Sequence, residues 1–435
     1  MRKLIGSLFI VLMSVSLCFA GQGMGPGPGC KAYAASSAMK QKLIGGEYGS
    51  LSAAAARYLS VAGGYINSSE GLATSLVSVS GTIRNLQVRL SGAPENGAGT
   101  QKYTVTVRKA SGANAMANTT LTCEVSEAET SCSDAANSFT VAADDKLSIL
   151  VTPSGTPIAR AISTRIEFQG DAANQAILTT AGNSTTTTDA ATRYLPVHGG
   201  VTGNSLDSVA SQVFPVAGTI TGFYVRQSAA PGAGVSRVWK IRINGSDQAA
   251  SALTFDAADV AKNVTGLSLA VNAGDRLSIS YANTGTQAAS NAFVGILFAP
   301  TTNGQFPILT SYHTTSFPQG STRYLPLSTT GLDIQASETY FMAGYNDFTI
   351  KAMYAYTSVA PGGTETFTFT LRKQTGPDDV SATYNCTITG AAQSCSRSED
   401  LTPAQNEGYD TKIVSSASVG LSGKVSIGYM GYIAP

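Results

Sequence analysis

Histidine is almost missing from this chain, with only His198 and His313 in 435 residues. A histidine-centred metal cluster or a Ser-His pair therefore has little to draw on. Gly-x-Ser-x-Gly does not occur, and zincin, Walker and dinucleotide motifs are absent as well. Charge is sparse too. Charged residues make up 13%, the formal net charge is +1, and no basic run occurs beyond Arg2-Lys3. That composition argues against nucleic acid, which demands a concentrated positive face. Past residue 17 no stretch approaches the length of a transmembrane helix. Tryptophan is represented once, by Trp239. The paired acids Asp144-Asp145 and Asp378-Asp379 are adjacent. They do not make the opposed carboxylates of a glycosidase; they read as solvated turn acids, with a calcium site as the competing reading. No catalytic residue, cofactor or metal is expected, and both histidines read as satisfied or solvent-facing.

The amino terminus reads as a secretory signal over residues 1–20. Arg2 and Lys3 supply the charge, Leu4 to Leu17 the apolar run, and Cys18-Phe19-Ala20 a small-residue cleavage site. The competing reading makes Cys18 an acylated lipoprotein cysteine, although Leu17 stands where a small residue is usual. Residues 21–40 follow as a Gly/Pro leader, from Gly23 to Gly29 with glycine at every second place, and so no collagen stalk. Cys30 is odd in number, and reads either as an intermolecular tether or as a free thiol.

The other four cysteines fall into matched pairs. Cys123 and Cys132 enclose eight residues, as do Cys386 and Cys395. Leu121, Cys123 and Val125 alternate as on a strand, so a disulfide would pin the two sides of a loop. A metal reading would want more thiols or histidines nearby. Phe255 is taken as the counterpart strand position in the copy that lacks cysteine.

What the chain does have is a threefold internal repeat. Arg57-Tyr58-Leu59, Arg193-Tyr194-Leu195 and Arg323-Tyr324-Leu325 recur at steps of 136 and 130 residues. Ile83, Ile220 and Ile350 follow the arginines by 26, 27 and 27 residues, and Pro94, Pro231 and Pro361 lie 11 further on. Arg108, Arg242 and Arg372 then close each β-rich stretch. The phase places the copies at 41–170, 171–300 and 301–435. Within them hydrophobicity alternates on a period of two, as in Leu86, Val88 and Leu90, or Tyr103, Val105 and Val107, or Phe367, Phe369 and Leu371. Period two means one buried and one wet face. Turn chemistry at Ala230-Pro231-Gly232, Asn244-Gly245 and Pro361-Gly362-Gly363 punctuates the runs. Ile166, Phe168, Phe293, Ile296, Val425 and Ile427 are expected on closing strands, in the core. About eight or nine strands per copy exceed an immunoglobulin-like domain and favour a jelly roll. The expected fold is all-β, three tandem antiparallel jelly-roll β-sandwiches.

Gly81-Thr82-Ile83, Gly218-Thr219-Ile220, Ala273-Gly274-Asp275-Arg276-Leu277-Ser278-Ile279 and Asp145-Lys146-Leu147-Ser148-Ile149 resemble the jelly rolls of the C1q/TNF-like group. The likeness is nearest to versions in exosporium glycoproteins and phage tail appendages. It implies trimeric association and a surface or recognition role. Two departures stand out: there is no collagen stalk, and three copies share one chain. A seven-residue link reaches about 25 Å, so the copies could pack around a pseudo-threefold axis or lie in a row. The repeated Arg-Tyr-Leu reads as a structural ion pair or stack in each copy, with an anion site as its competitor. Trp239 reads as core or interface rather than a sugar platform. Together these features describe a bacterial, extracytoplasmic protein, secreted or on the cell surface, non-enzymatic, structural or adhesive. Its partner is itself, through self-association or an intrachain pseudo-trimer; the alternative is a module binding surface glycan or protein through loop tips.

Overall fold

The computed structural model describes residues 37–435, except 96–99, 183, 186–187, 201–203, 288, 318, 331–341, 344–346, 375–378, 404–407 and 417–420. The expected signal, most of the expected leader, Cys18, Cys30 and Asp378 lie outside the described residues. Six sheets form three sandwiches.

In the first sandwich one sheet runs Gly64–Tyr65, Lys40–Tyr48, Ile162–Gly170, Gly81–Leu90, Ser131–Val141. The facing sheet runs Arg57–Leu59, Asp145–Ser154, Lys102–Ser111, Ala117–Ser126. Sequence neighbours are thus split between sheets, the crossover pattern of a jelly roll. The second sandwich repeats the order with Ala176–Thr179, Asn291–Pro300, Gly218–Gln227, Ala261–Val271 against Thr192–Leu195, Arg276–Asn283, Gly232–Ile243. The third uses Gln305–Phe317, Leu421–Tyr432, Thr349–Thr357, Ser394–Leu401 against Thr322–Pro326, Gly408–Ser415, Thr366–Gln374, Asp379–Thr389.

Alternation builds the cores. Tyr103, Val105 and Val107 are buried while Thr104 and Thr106 are partly exposed, and Phe367, Phe369 and Leu371 are buried in the third copy. Ile83, Ile220 and Ile350 are fully buried, and each is closely followed by a register shift in its strand, after Arg84 in the first copy and directly after the isoleucine in the others. That bulge explains why the apolar positions step from Ile83 to Leu86 instead of staying in phase. Asn244 and Gly245 take φ of 50° and 83°, the paired left-handed residues of a tight hairpin. Ile166, Phe168, Phe293, Ile296, Val425 and Ile427 all lie in the cores.

Cys123 bonds Cys132, and Cys386 bonds Cys395. In both cases the bridge joins the outermost strands of the two facing sheets, so it staples the open edge of the sandwich. Strand register corrects the expected counterpart in the second copy. Leu253, not Phe255, lies opposite Trp239, as Cys123 lies opposite Val105. Lys262 takes the place of Cys132, reaching Thr254 O and lying over the Phe255 ring. Replacing both cysteines of either pair by serine is expected to cost its sandwich about 2–3 kcal/mol from loop entropy. Denaturant melts with limited proteolysis should show the stapled copies weakened by reductant and the second copy unchanged.

Candidate functional site: a recurring polar cluster and three seams

Each Arg-Tyr-Leu sits on a short strand beside the strand that carries the residue opposite the later arginine marker in register. The stack expected of the first arginine is made instead by the second. The Arg242 guanidinium lies 5.0 Å from the Tyr194 ring centre, and Arg372 4.4 Å from that of Tyr324. These arginines are ion-paired in all three copies. Arg108 meets Glu70 at 2.7 Å, with Ser148 donating to the same carboxylate at 2.7 Å. Arg242 meets Asp207 at 3.4 Å, and Ser278 donates to that acid. In the third copy the acid moves onto the strand itself: Arg372 makes a two-point pair with Asp410 at 2.9 and 2.6 Å, both buried. Asp410 occupies the register position of Ser148 and Ser278. The arginines of Arg-Tyr-Leu itself do less. Arg57 and Arg323 each donate to the carbonyl just before them, and Arg193 pairs with Asp189. With its charges paired, the cluster fixes a short strand and its neighbouring segment onto the sheet.

Chemistry that departs from one copy to the next is found where the copies meet. Between the first and second, Gln41 uses its side chain as a strand would, donating to Ile177 O and accepting from Ile177 N, both at 2.8 Å. The Leu76 N–H donates to Thr179 at 2.9 Å, and Arg226 pairs with Asp144. Asp144 is therefore an interface residue, and Asp145 caps its own turn through Ala142 N; neither is merely solvated. Between the second and third, Val213 N donates to Ser426 at 2.9 Å, and Arg276 donates to the Tyr356 hydroxyl at 2.7 Å. Between the third and first, Lys42 meets Asp347 at 2.6 Å, and Arg165 holds the same carboxylate at 2.7 and 3.1 Å. Lys42 and Arg84 also clasp Glu167. Burial pushes the Glu167 and Asp347 carboxyls up. The cations beside them, Lys42 and Arg84 for Glu167, Arg165 and Lys42 for Asp347, outweigh it and hold both below the usual range. Apolar packing crosses the seams too. One core runs through the second and third copies and takes in Met39 and Ile44, while the core of the first takes in Ile177.

His198 is not solvent-facing, and only one of its ring nitrogens is satisfied. It is buried between the second and third copies, with Nε2 3.3 Å from Ser328 Oγ and no partner for Nδ1. Burial pulls its pKa down to about 4. A base whose pKa falls on folding contributes its full stability above its ordinary value of 6.5 and loses it as pH drops toward 4. Tm is therefore expected to fall between pH 6.5 and 4, by the equivalent of about 3 kcal/mol. In His198→Asn that part of the pH dependence should disappear. The side chain of His313 lies outside the described residues. Trp239 is fully buried, 5.0 Å from the Tyr281 ring. Among the described residues no group of acids, cysteines and histidines is placed to hold a metal, and no helix is long and apolar enough to cross a membrane.

No known protein family matches the chain, and no curated protein does. Similar solved structures include the N-terminal CBM22-1–CBM22-2 tandem domain of Paenibacillus barcinonensis Xyn10C. It is 11% identical over 50% of this chain and 80% of that one, with a TM-score of 0.17. The CUB1-EGF-CUB2 domain of human MASP-1/3 is 7% identical over 59% and 99%, at 0.15. A human norovirus GI.7 virus-like particle is 10% identical over 89% and 95%, at 0.14. None of these three is a C1q/TNF-like or exosporium protein, and at such scores none carries an argument. The functional reading rests on the chain's own geometry.

Sequence reading missed the seams. The signal that could have found them was the closing strand of the second copy, where Phe293-Val294-Gly295-Ile296-Leu297-Phe298 is apolar on both faces instead of alternating.

Proposed function

We propose that the chain is an exported, non-catalytic structural or adhesive protein whose three sandwiches act as one prefused trimer. The observation that carries this reading is the cyclic set of seams. Ser75–Leu76 of the first copy lies against the closing strand of the second. Gln212–Val213 lies against that of the third, and Met342–Ala343 against that of the first. Each contact uses the same strand pair in the same sense, which is what a threefold arrangement requires and a row does not. Two of the closing strands carry glycine at the crossing. A Cβ on Gly295 would stand 3.0 Å from Leu76 O, and one on Gly428 2.6 Å from Val213 O. In this reading export accounts for the two disulfides, and Cys30 tethers the assembly to a neighbour or surface.

Small-angle scattering on the mature protein tests the arrangement. A closed set of about 400 residues should give a radius of gyration of about 21 Å, against roughly 30 Å or more for a row. Surface labelling of intact producing cells tests export. Saturable glycan binding, abolished by loop-tip changes, would replace the structural reading with that of a carbohydrate-binding module.

A further inference from the structure

The three seams share one geometry but differ in chemistry. Ile83 pairs with Phe168, Ile220 with Phe298 and Ile350 with Gly431, which aligns the closing strands residue for residue. Three residues back along each strand stand Arg165, Gly295 and Gly428. Three residues before each isoleucine stand Ser80, Ala217 and Asp347. Only the seam from third to first copy therefore sets an acid beside a cation at these positions, and there Arg165 and Asp347 bond directly. Lys42 adds a second cation to the same carboxylate, at a site where the register puts Ile177 and Pro307 in the other copies.

Connectivity also sets this seam apart. The first and second copies are joined by residues 171–175, and the second and third by 301–304, so those halves are always close. The halves of the third-to-first seam are held together only by contacts, 182 residues apart between Arg165 and Asp347. An interface of this heterologous kind closes a ring when both halves lie in one chain, and joins chains when a second copy supplies one half.

We propose that Asp347, Arg165 and Lys42 form a latch that specifies closure between the first and third repeats, and that this seam also accepts the third repeat of a second copy. The inference rests on the prefused-trimer reading. Glycine at Gly295 and Gly428 admits the neighbour's backbone without selecting it. A buried arginine facing one acid selects, because the other copies offer Ser80 and Ala217 there. Tethering in one chain gives the intramolecular partner a high effective concentration, so a dilute solution holds monomers and a dense surface layer holds linked chains.

Light scattering after size exclusion, with small-angle scattering, tests this on four proteins. Asp347→Arg alone sets like charges against Arg165 and Lys42 and should open the seam, raising the radius of gyration without linking chains, because a second copy meets the same repulsion. Arg165→Asp alone should do the same. Mixed, the two variants carry complementary halves and should form a two-chain species at about tenfold the yield of either alone. Both changes in one chain should restore the compact monomer, which separates loss of the latch from loss of folding. If both single variants match the natural chain, the latch is refuted. If the mixture gives no more two-chain species than its components, exchange is refuted. An extended natural chain would instead overturn the trimer reading itself.

Discussion

An Asp410→Ala variant should unfold its sandwich with about 3–5 kcal/mol less stability than the natural chain, the cost of stripping one partner from a buried ion pair. Arg372 has Nε and Nη2 on the Asp410 carboxylate and its plane on Tyr324, and neither member of the pair is open to water. Truncating the acid leaves a cation in a site that solvent cannot reach. Arg108 and Glu70, the corresponding pair of the first copy, are partly exposed, so Glu70→Ala should cost much less, near the value of a surface pair. Replacing Arg372 and Asp410 together by Met and Leu should recover most of the loss, because no buried charge is then left unmatched. Denaturant titration of the three variants, read by a probe in the third sandwich, gives the comparison.

Trp239→Ala should be as damaging, about 3–5 kcal/mol, because it empties the largest side-chain volume in the core of the second copy. The indole contacts Tyr281 and lies opposite Leu253, where the other copies have their disulfides. Bulk therefore stands where the first and third copies use a covalent staple. Trp239→Phe is expected to be mild, below about 1.5 kcal/mol. It reproduces Phe369 at the same register position and removes an indole N–H that has no hydrogen-bond partner. Calorimetry on both variants checks the contrast. Equal losses for Phe and Ala would show that the indole's shape, not its volume, holds the site.

Much of the fold was legible because its causes are local. A buried face every second residue, glycine or asparagine where φ must be positive, and cysteines matched in two copies all act within a few residues. The same is not true of the polar groups. Arg108, Arg242 and Arg372 were visible as markers, but their acids come from different places, the short helices Glu70–Ala73 and Asp207–Ala210 in two copies and a strand in the third. No spacing rule links Arg372 to Asp410 until the sheet lays their strands side by side. The Phe255 assignment failed for a related reason: strand lengths differ between copies, and only pairing decides that Leu253 faces Trp239.

The amino-acid sequence by itself determined that this protein is β, repeated three times and stapled in two copies, since periodicity, turn residues and paired cysteines act at short range. Tertiary structure alone decided which residues meet across the seams. Arg165, Gly295 and Gly428 are equivalent only through the hydrogen-bond register of their strands, and His198, Lys42 and Asp347 acquire their partners from other copies. Contacts between residues more than a hundred positions apart depend on how faces align after folding, and a linear pattern does not record that alignment.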